Sequence, residues 1–255
     1  NESFLSKNLK QSIWKKQEEI LYKTDMFYTI SDRMKNFYFK NFSKNSKLLR
    51  NLTFNNHLLV KKETKDFLYA GNFYYGRDEM LAILAEAIKD LNNEFQQNFT
   101  LNLYSNSPLT DCLNKQVNEN PYVSFFGKVS QEELIEIISQ HRYVIFVESF
   151  IDKNIEKVKF SFSTKITELA LQKKCIVSLA PIGIGSMDEL QKFSFCINNL
   201  ETVKERLYNL ISSNYRIYEE KAYQYAKKYY NRTKQSKILE NDILIQIEKY
   251  KENAK

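Results

Sequence analysis

Residues Phe160–Ala170 read FSFSTKITELA. Three hydroxyl residues, Ser161, Ser163 and Thr164, precede and open a segment with helical spacing that runs to Lys173. A helix start leaves backbone N–H groups unpaired and carries a partial positive charge, so it favours a phosphate. Lys165 would add a full charge there. Glu168 lies three positions on, on the same face. From there its carboxylate can accept two hydrogen bonds from a vicinal diol such as a ribose. The same pattern also fits an ordinary Ser/Thr cap followed by a solvated Lys and Glu, and spacing alone leaves both readings open.

Outward from this segment, apolar runs of strand length alternate with amphipathic stretches. Cys175–Leu179 (CIVSL) follows as a strand, then a short helix over Met187–Lys192, a strand at Phe195–Ile197 and a helix over Leu200–Ile211. Upstream lie strands at Asp66–Ala70, Phe99–Tyr104, Tyr122–Phe126 and Tyr143–Val147. Helices are expected over Glu79–Leu91, with Met80, Leu84, Ala87, Ile88 and Leu91 on one stripe, and over Gln131–His141. This alternation predicts an α/β fold, a Rossmann-like parallel sheet with helices on both faces. In such a sheet ligands collect at the carboxyl ends of the strands.

Three loops at those ends carry further candidates. Leu68–Arg77 (LYAGNFYYGR) ends a strand at Gly71 and Asn72, and Arg77 opens a helix, where a guanidinium can grip a phosphate with two bonds. Equally, it reads as a plain strand-to-helix turn. Gly127, Lys128 and Val129 follow a strand and can offer backbone to the edge of a base. Ala180–Gly185 (APIGIG) either shapes a sugar pocket or simply turns the chain. No GxGxxG fingerprint occurs.

The flanks differ from this core. Gln17–Leu21 looks helical, Met26–Ile30 strand-like, and Ser31–Asn41 helical with Ser31 as N-cap. The tail, Tyr215–Ile247, is helical and rich in Tyr and Lys. Its stripe of Ile217, Ala222, Tyr225 and Tyr229 is expected to pack the stretch Tyr215–Leu239 back towards residues 1–50. The expected division is therefore 1–60, 61–214 and 215–255. The chain begins at Asn1 rather than Met, which reads as the start of a fragment.

In 255 residues there are 38 Lys and Arg against 31 Asp and Glu, a net charge of +7. The basic residues are dispersed and no nucleic-acid motif appears, so nucleic acid is not an expected partner. Cys112, Cys175 and Cys196 are far apart and form no CxxC pair, so no zinc site or disulfide framework is expected; Cys175 and Cys196 sit in apolar runs as small core residues, which fits a reducing cytoplasm. No signal peptide or membrane-spanning run is seen. Lys227, Lys228, Arg232, Lys234 and Lys237, interleaved with Tyr229 and Tyr230, make a peripheral contact with an anionic membrane, at its inner face, a weaker expectation beside that of a solvated basic face. His57 and His141 are expected to be surface or capping residues. Asp152 and Asp188 are isolated, no DxD occurs, and no metal site is expected.

In order, Tyr69-Ala70-Gly71, Phe125-Phe126-Gly127-Lys128-Val129, Val147-Glu148-Ser149 and Ser163-Thr164-Lys165-Ile166-Thr167-Glu168 resemble the C-terminal, nucleotide-sugar-binding domain of the group 1 glycosyltransferases of GT-B fold. Thr24–Phe39 resembles the end of that family's N-terminal domain. The resemblance implies one half of a GT-B architecture, with residues 1–60 as a remnant of the N-terminal domain and connector, and with C-terminal helices that cross back. It implies a donor-binding domain that takes a nucleoside diphosphate sugar as substrate, needs no other cofactor, and serves transfer to a glycan, lipid or protein acceptor. It further implies that Glu168 binds the ribose, that Ser163, Thr164 and Lys165 line the diphosphate, and that Gly127–Val129 meet the base. Two departures stand out: Phe160 sits where many relatives have a second Glu, and Arg77 alone represents their basic pair. A non-catalytic interaction domain of the same fold and a nucleotide-sugar epimerase are the alternatives.

Overall fold

The computed structural model describes residues 6–50 and 64–253; His57 lies outside them. The chain forms two compact units, Asn1–Asn51 with Arg232–Lys255, and Leu52–Asn231.

The second unit holds a six-stranded, all-parallel sheet. Its strands are β3 (Thr64–Ala70), β4 (Leu101–Tyr104), β5 (Val123–Gly127), β6 (His141–Val147), β7 (Cys175–Leu179) and β8 (Phe195–Ile197). They lie in the order β5-β4-β3-β6-β7-β8. Chain order thus runs outward from β3 in one direction, then reverses and runs outward from β6 in the other. The reversal between β3 and β6 is the point where an open α/β sheet leaves a crevice at its carboxyl edge.

Burial explains why the runs are almost wholly apolar. Phe67, Tyr69, Tyr143, Ile145, Cys175 and Val177 face one side and join a core with α3 (Arg77–Phe95) and α9 (Val203–Ile211). The alternate residues Leu68, Val144 and Ile176 are equally buried and point to the other side. There α5 (Gln131–Gln140) packs on β3 and β6, and α7 (Thr164–Leu171) on β7. The stripe expected on α3 is buried throughout, at Met80, Leu84, Ala87, Ile88 and Leu91. Buried Asn92 closes this helix: its side chain accepts from Phe99 N (2.9 Å) and donates to Phe99 O (2.8 Å), turning the chain into β4. At the end of α5, His141 donates from Nδ1 to Ile137 O (2.7 Å) and accepts at Nε2 from Asn102 (2.9 Å). It is the cap of one element and the first residue of the next.

Two helices escaped the sequence reading, α4 (Asp111–Glu119) and α6 (Asp152–Val158). Both are short and polar, with two and one buried residues. α8 (Gly185–Leu190) follows β7.

The tail divides. α10 (Arg216–Tyr229) lies on α7 and β7. Its small buried residues, Ala222 and Ala226, allow close approach, while Ile217 stays half exposed. Tyr225 donates to the buried Glu189 carboxylate (2.6 Å), and Tyr230 is wholly buried beside it (3.4 Å). Tyr230 therefore belongs to the core rather than to an aromatic surface. The first unit contains α1 (Lys7–Lys23), β1 (Tyr28–Thr29), α2 (Asp32–Phe42), β2 (Lys47–Leu48) and α11 (Arg232–Asn253). β1 and β2 are parallel, and Ser31 caps α2 by accepting from Met34 N (3.2 Å). Within this unit Asp242 of α11 accepts from Tyr28 (2.7 Å) and pairs with Lys47. Among the described residues no helix is long and apolar enough to cross a membrane.

Candidate functional site

The crevice between β3 and β6 is occupied by a cleft of about 540 Å³. Gly71, Asn72, Arg77, Ser163, Thr164, Lys165 and Glu168 all line it. A second, adjoining cleft of about 370 Å³ shares Gly71, Asn72 and Lys165 with the first and adds Gly127, Lys128 and Val129. The ten residues singled out in the sequence, spread over three segments, thus surround two adjoining hollows at one sheet edge.

The first turn of α7 forms one wall. Ser163 is its N-cap by position, yet its side chain makes no capping bond. The Ser163 backbone N–H is held instead by Ser186 Oγ (3.1 Å), which in turn donates to Ser161 O (3.3 Å). The hydroxyl and the leading amides of the helix are left for another partner. Lys165 reaches across the cleft, and its ammonium donates to Ala70 O at the end of β3. Burial lowers its pKa; Glu168 opposes this and Arg77 adds to it. An anion in the cleft would offset that desolvation.

Glu168 stands one turn further on, half-buried in the same wall. Among the described residues its carboxylate has no hydrogen bond or ion pair. Burial raises its pKa, with Lys165 opposing. A part-buried carboxylate without a partner is unusual, because its desolvation goes uncompensated.

The opposite wall starts from Gly71. A Cβ there would lie 2.6 Å from the Tyr69 hydroxyl and 3.4 Å from Lys165 Nζ. Only a glycine lets Tyr69 fold back to donate to Asn72 O (2.5 Å) while Lys165 reaches Ala70. Arg77 is held more firmly than its sequence position suggests. Its Nε and Nη2 bind the two oxygens of Glu148 at 3.0 and 2.7 Å, and its Nη1 binds Asn72 Oδ1 at 2.5 Å. The Glu148 side chain is 6% exposed, at the end of β6. Burial raises its pKa and Arg77 lowers it. Three of the five guanidinium N–H groups are thus engaged within the protein.

Glu148 was quoted in the sequence only as part of a pattern. The available signal was an acid placed directly after the buried run YVIFV, where charge is costly without a partner. Tyr75 and Lys157, also on the cleft, carried no sequence signal. Of the Ala180–Gly185 loop no residue lines either cleft, though Ser186 just after it does. Among the described residues no three His, Cys, Asp or Glu side chains come together as metal ligands.

No protein-family model matches the chain, and no curated protein matches it. Solved structures do. The pneumococcal O-GlcNAc transferase GtfA, in complex with UDP and GlcNAc, superposes with a TM-score of 0.63 at 14% identity, over 89% of this chain and 46% of that one. HepE of Anabaena, in complex with UDP and glucose, gives 0.65 at 12% identity, over 86% and 63%. A mutant of S. aureus TarM, in complex with fondaparinux, alpha-GlcNAc-glycerol and UDP, gives 0.67 at 13% identity, over 90% and 45%. The chain spans about half to two thirds of the length of these structures, matching their C-terminal half. Its fold is that half of the GT-B glycosyltransferases, as the sequence resemblance implied.

Proposed function

We propose that this chain is the donor-binding half of a glycosyltransferase, and that its cleft takes a nucleoside diphosphate sugar for transfer to a glycan, lipid or protein acceptor. The observation that carries this reading is Glu168: a half-buried carboxylate, unpartnered among the described residues, one turn from Lys165, at the open start of α7. A ribose diol satisfies such a carboxylate with two hydrogen bonds. The diphosphate then meets Lys165, the hydroxyls of Ser163 and Thr164 and the first amides of α7, all of which are donors. The adjoining hollow at Gly127–Val129 takes the base. That GtfA and HepE were solved with UDP supports a nucleotide in this fold.

Departure of the sugar leaves negative charge on the diphosphate. The helix start and Lys165 are already oriented towards that charge, so they stabilise it with little reorganisation. In this reading the chain's own contribution to catalysis is electrostatic.

A thermal-shift screen with UDP, GDP, ADP and CMP tests the reading. A nucleotide at a hundred times its dissociation constant adds about 2.7 kcal/mol of stability. At least one diphosphate is expected to raise the melting temperature, and CMP to do so less. No shift with any of them would count against nucleotide binding.

A further inference from the structure

Arg77 spends most of its donors on Glu148 and Asn72, so the diphosphate needs a second cation from elsewhere. We infer that Lys157, on α6, supplies it by contacting the terminal phosphate of the bound nucleoside diphosphate. This rests on the donor-binding reading above and names a further residue of the same site.

Gly76 adopts a left-handed backbone, φ 74°, in the loop after β3. A Cβ there would lie 2.8 Å from Ser149 Oγ and 2.9 Å from Asn154 Nδ2. The missing side chain lets α6 close on the loop, where Asn154 donates to Ser149 Oγ (3.3 Å). Lys157 is three residues beyond Asn154, on the same face of the helix. Docking α6 at Gly76 therefore brings Lys157 over the cleft, with its Nζ 4.8 Å from the centre of the Tyr75 ring. Tyr75 is itself held in the left-handed region, φ 62°, a strained state for an aromatic residue. The Arg77 guanidinium lies 6.0 Å from the centre of the same ring.

The first cleft is lined by three cations, Arg77, Lys157 and Lys165, and two carboxylates, Glu148 and Glu168. The surplus of one positive charge disappears if Lys157 is removed. Arg77 is neutralised by Glu148 within bonding distance, whereas among the described residues Lys157 makes no ion pair. A ring face is a weak partner for an ammonium compared with a phosphate, so Lys157 can turn from Tyr75 to the anion.

Calorimetric titration of the wild type, Lys157→Gln and Lys157→Arg tests this, with UDP, GDP and ADP each measured beside its monophosphate. Lys157→Gln is expected to weaken the best-bound diphosphate about tenfold and its monophosphate less than twofold; Lys157→Arg restores most of the loss. Lys157 is exposed, so melting temperatures should match the wild type. An unchanged diphosphate affinity, or equal losses for diphosphate and monophosphate, would overturn the inference while leaving the donor-binding reading intact. A wild type that binds none of the six nucleotides would overturn both.

Discussion

At the scale of single residues, Glu168 and Gly71 separate function from fold. Burial holds the Glu168 pKa above the ordinary 4.5. A carboxylate whose folded pKa is raised helps folding only below its unfolded pKa, and that contribution is lost as pH rises through the folded value. At neutral pH the ionised group therefore weighs against the fold. Glu168→Gln should melt at the same temperature as the wild type or slightly higher at pH 7, with the difference vanishing at pH 4. Thermal melts at both pH values check this, and a clear loss of stability at pH 7 would mean that Glu168 is a structural residue. Such a residue, better for a ligand than for the fold, is the expected signature of a binding site. Gly71 behaves in the opposite way. A methyl group 2.6 Å from the Tyr69 hydroxyl forces the buried ring to move. Gly71→Ala should cost about 1–3 kcal/mol, measured by urea denaturation, and should disturb Lys165 with it.

Helix starts and element junctions give predictions of another kind. Ser130 caps α5 in a reciprocal box: it accepts from Glu133 N (3.2 Å), and Glu133 accepts from Ser130 N (2.8 Å). Ser163 holds the same position on α7 but caps nothing. Ser130→Ala should cost about 1 kcal/mol, whereas Ser163→Ala should stay within about 0.5 kcal/mol and weaken diphosphate binding instead. Equal losses of stability in paired urea melts would show that Ser163 is an ordinary cap. At the junction of α5 and β6, burial lowers the pKa of His141 below the ordinary 6.5; its bond to Ile137 and nearby Asp66 oppose this, and Lys174 adds to it. For a depressed folded pKa, the stabilising contribution is present above the unfolded value and is lost as pH falls through the folded one. Stability should therefore decline below about pH 6.5, and His141→Gln, though less stable at pH 7, should flatten that decline. A mutant whose pH profile parallels the wild type would assign the decline to other groups. Legibility in the sequence follows the same physics. CIVSL at Cys175–Leu179 is a strand to the residue because a central parallel strand is buried on both faces. α6 was not legible: it has seven residues, one of them buried, and what fixes it is a contact between Asn154 and Ser149. The Arg77–Glu148 pair was not legible either, because it joins residues 71 positions apart, and only the fold makes them neighbours.

Over the whole molecule, three segments that are unremarkable one by one are gathered by a single feature, the reversal of strand order between β3 and β6. The alternation of strands and helices places ligands at the carboxyl edge of a parallel sheet, so the edge that holds the candidate site was readable from the sequence before its chemistry was, whereas the strand order was not. Nor was the division of the tail. α10 and α11 are both Lys-rich helices, and in α10 the small buried residues Ala222 and Ala226 allow the close packing on α7 and β7. The donor-binding account depends on one contact above the others, that of Glu168 with a ribose. Loss of a charge-assisted hydrogen bond to a ligand corresponds to roughly 1.5–3 kcal/mol, or about ten- to hundredfold in affinity. Calorimetric titration of the wild type and Glu168→Ala with UDP, GDP and ADP measures it directly. The account predicts a ten- to hundredfold weaker dissociation constant for the diphosphate that the wild type binds best. Equal affinities in the two proteins would contradict it and place the nucleotide elsewhere.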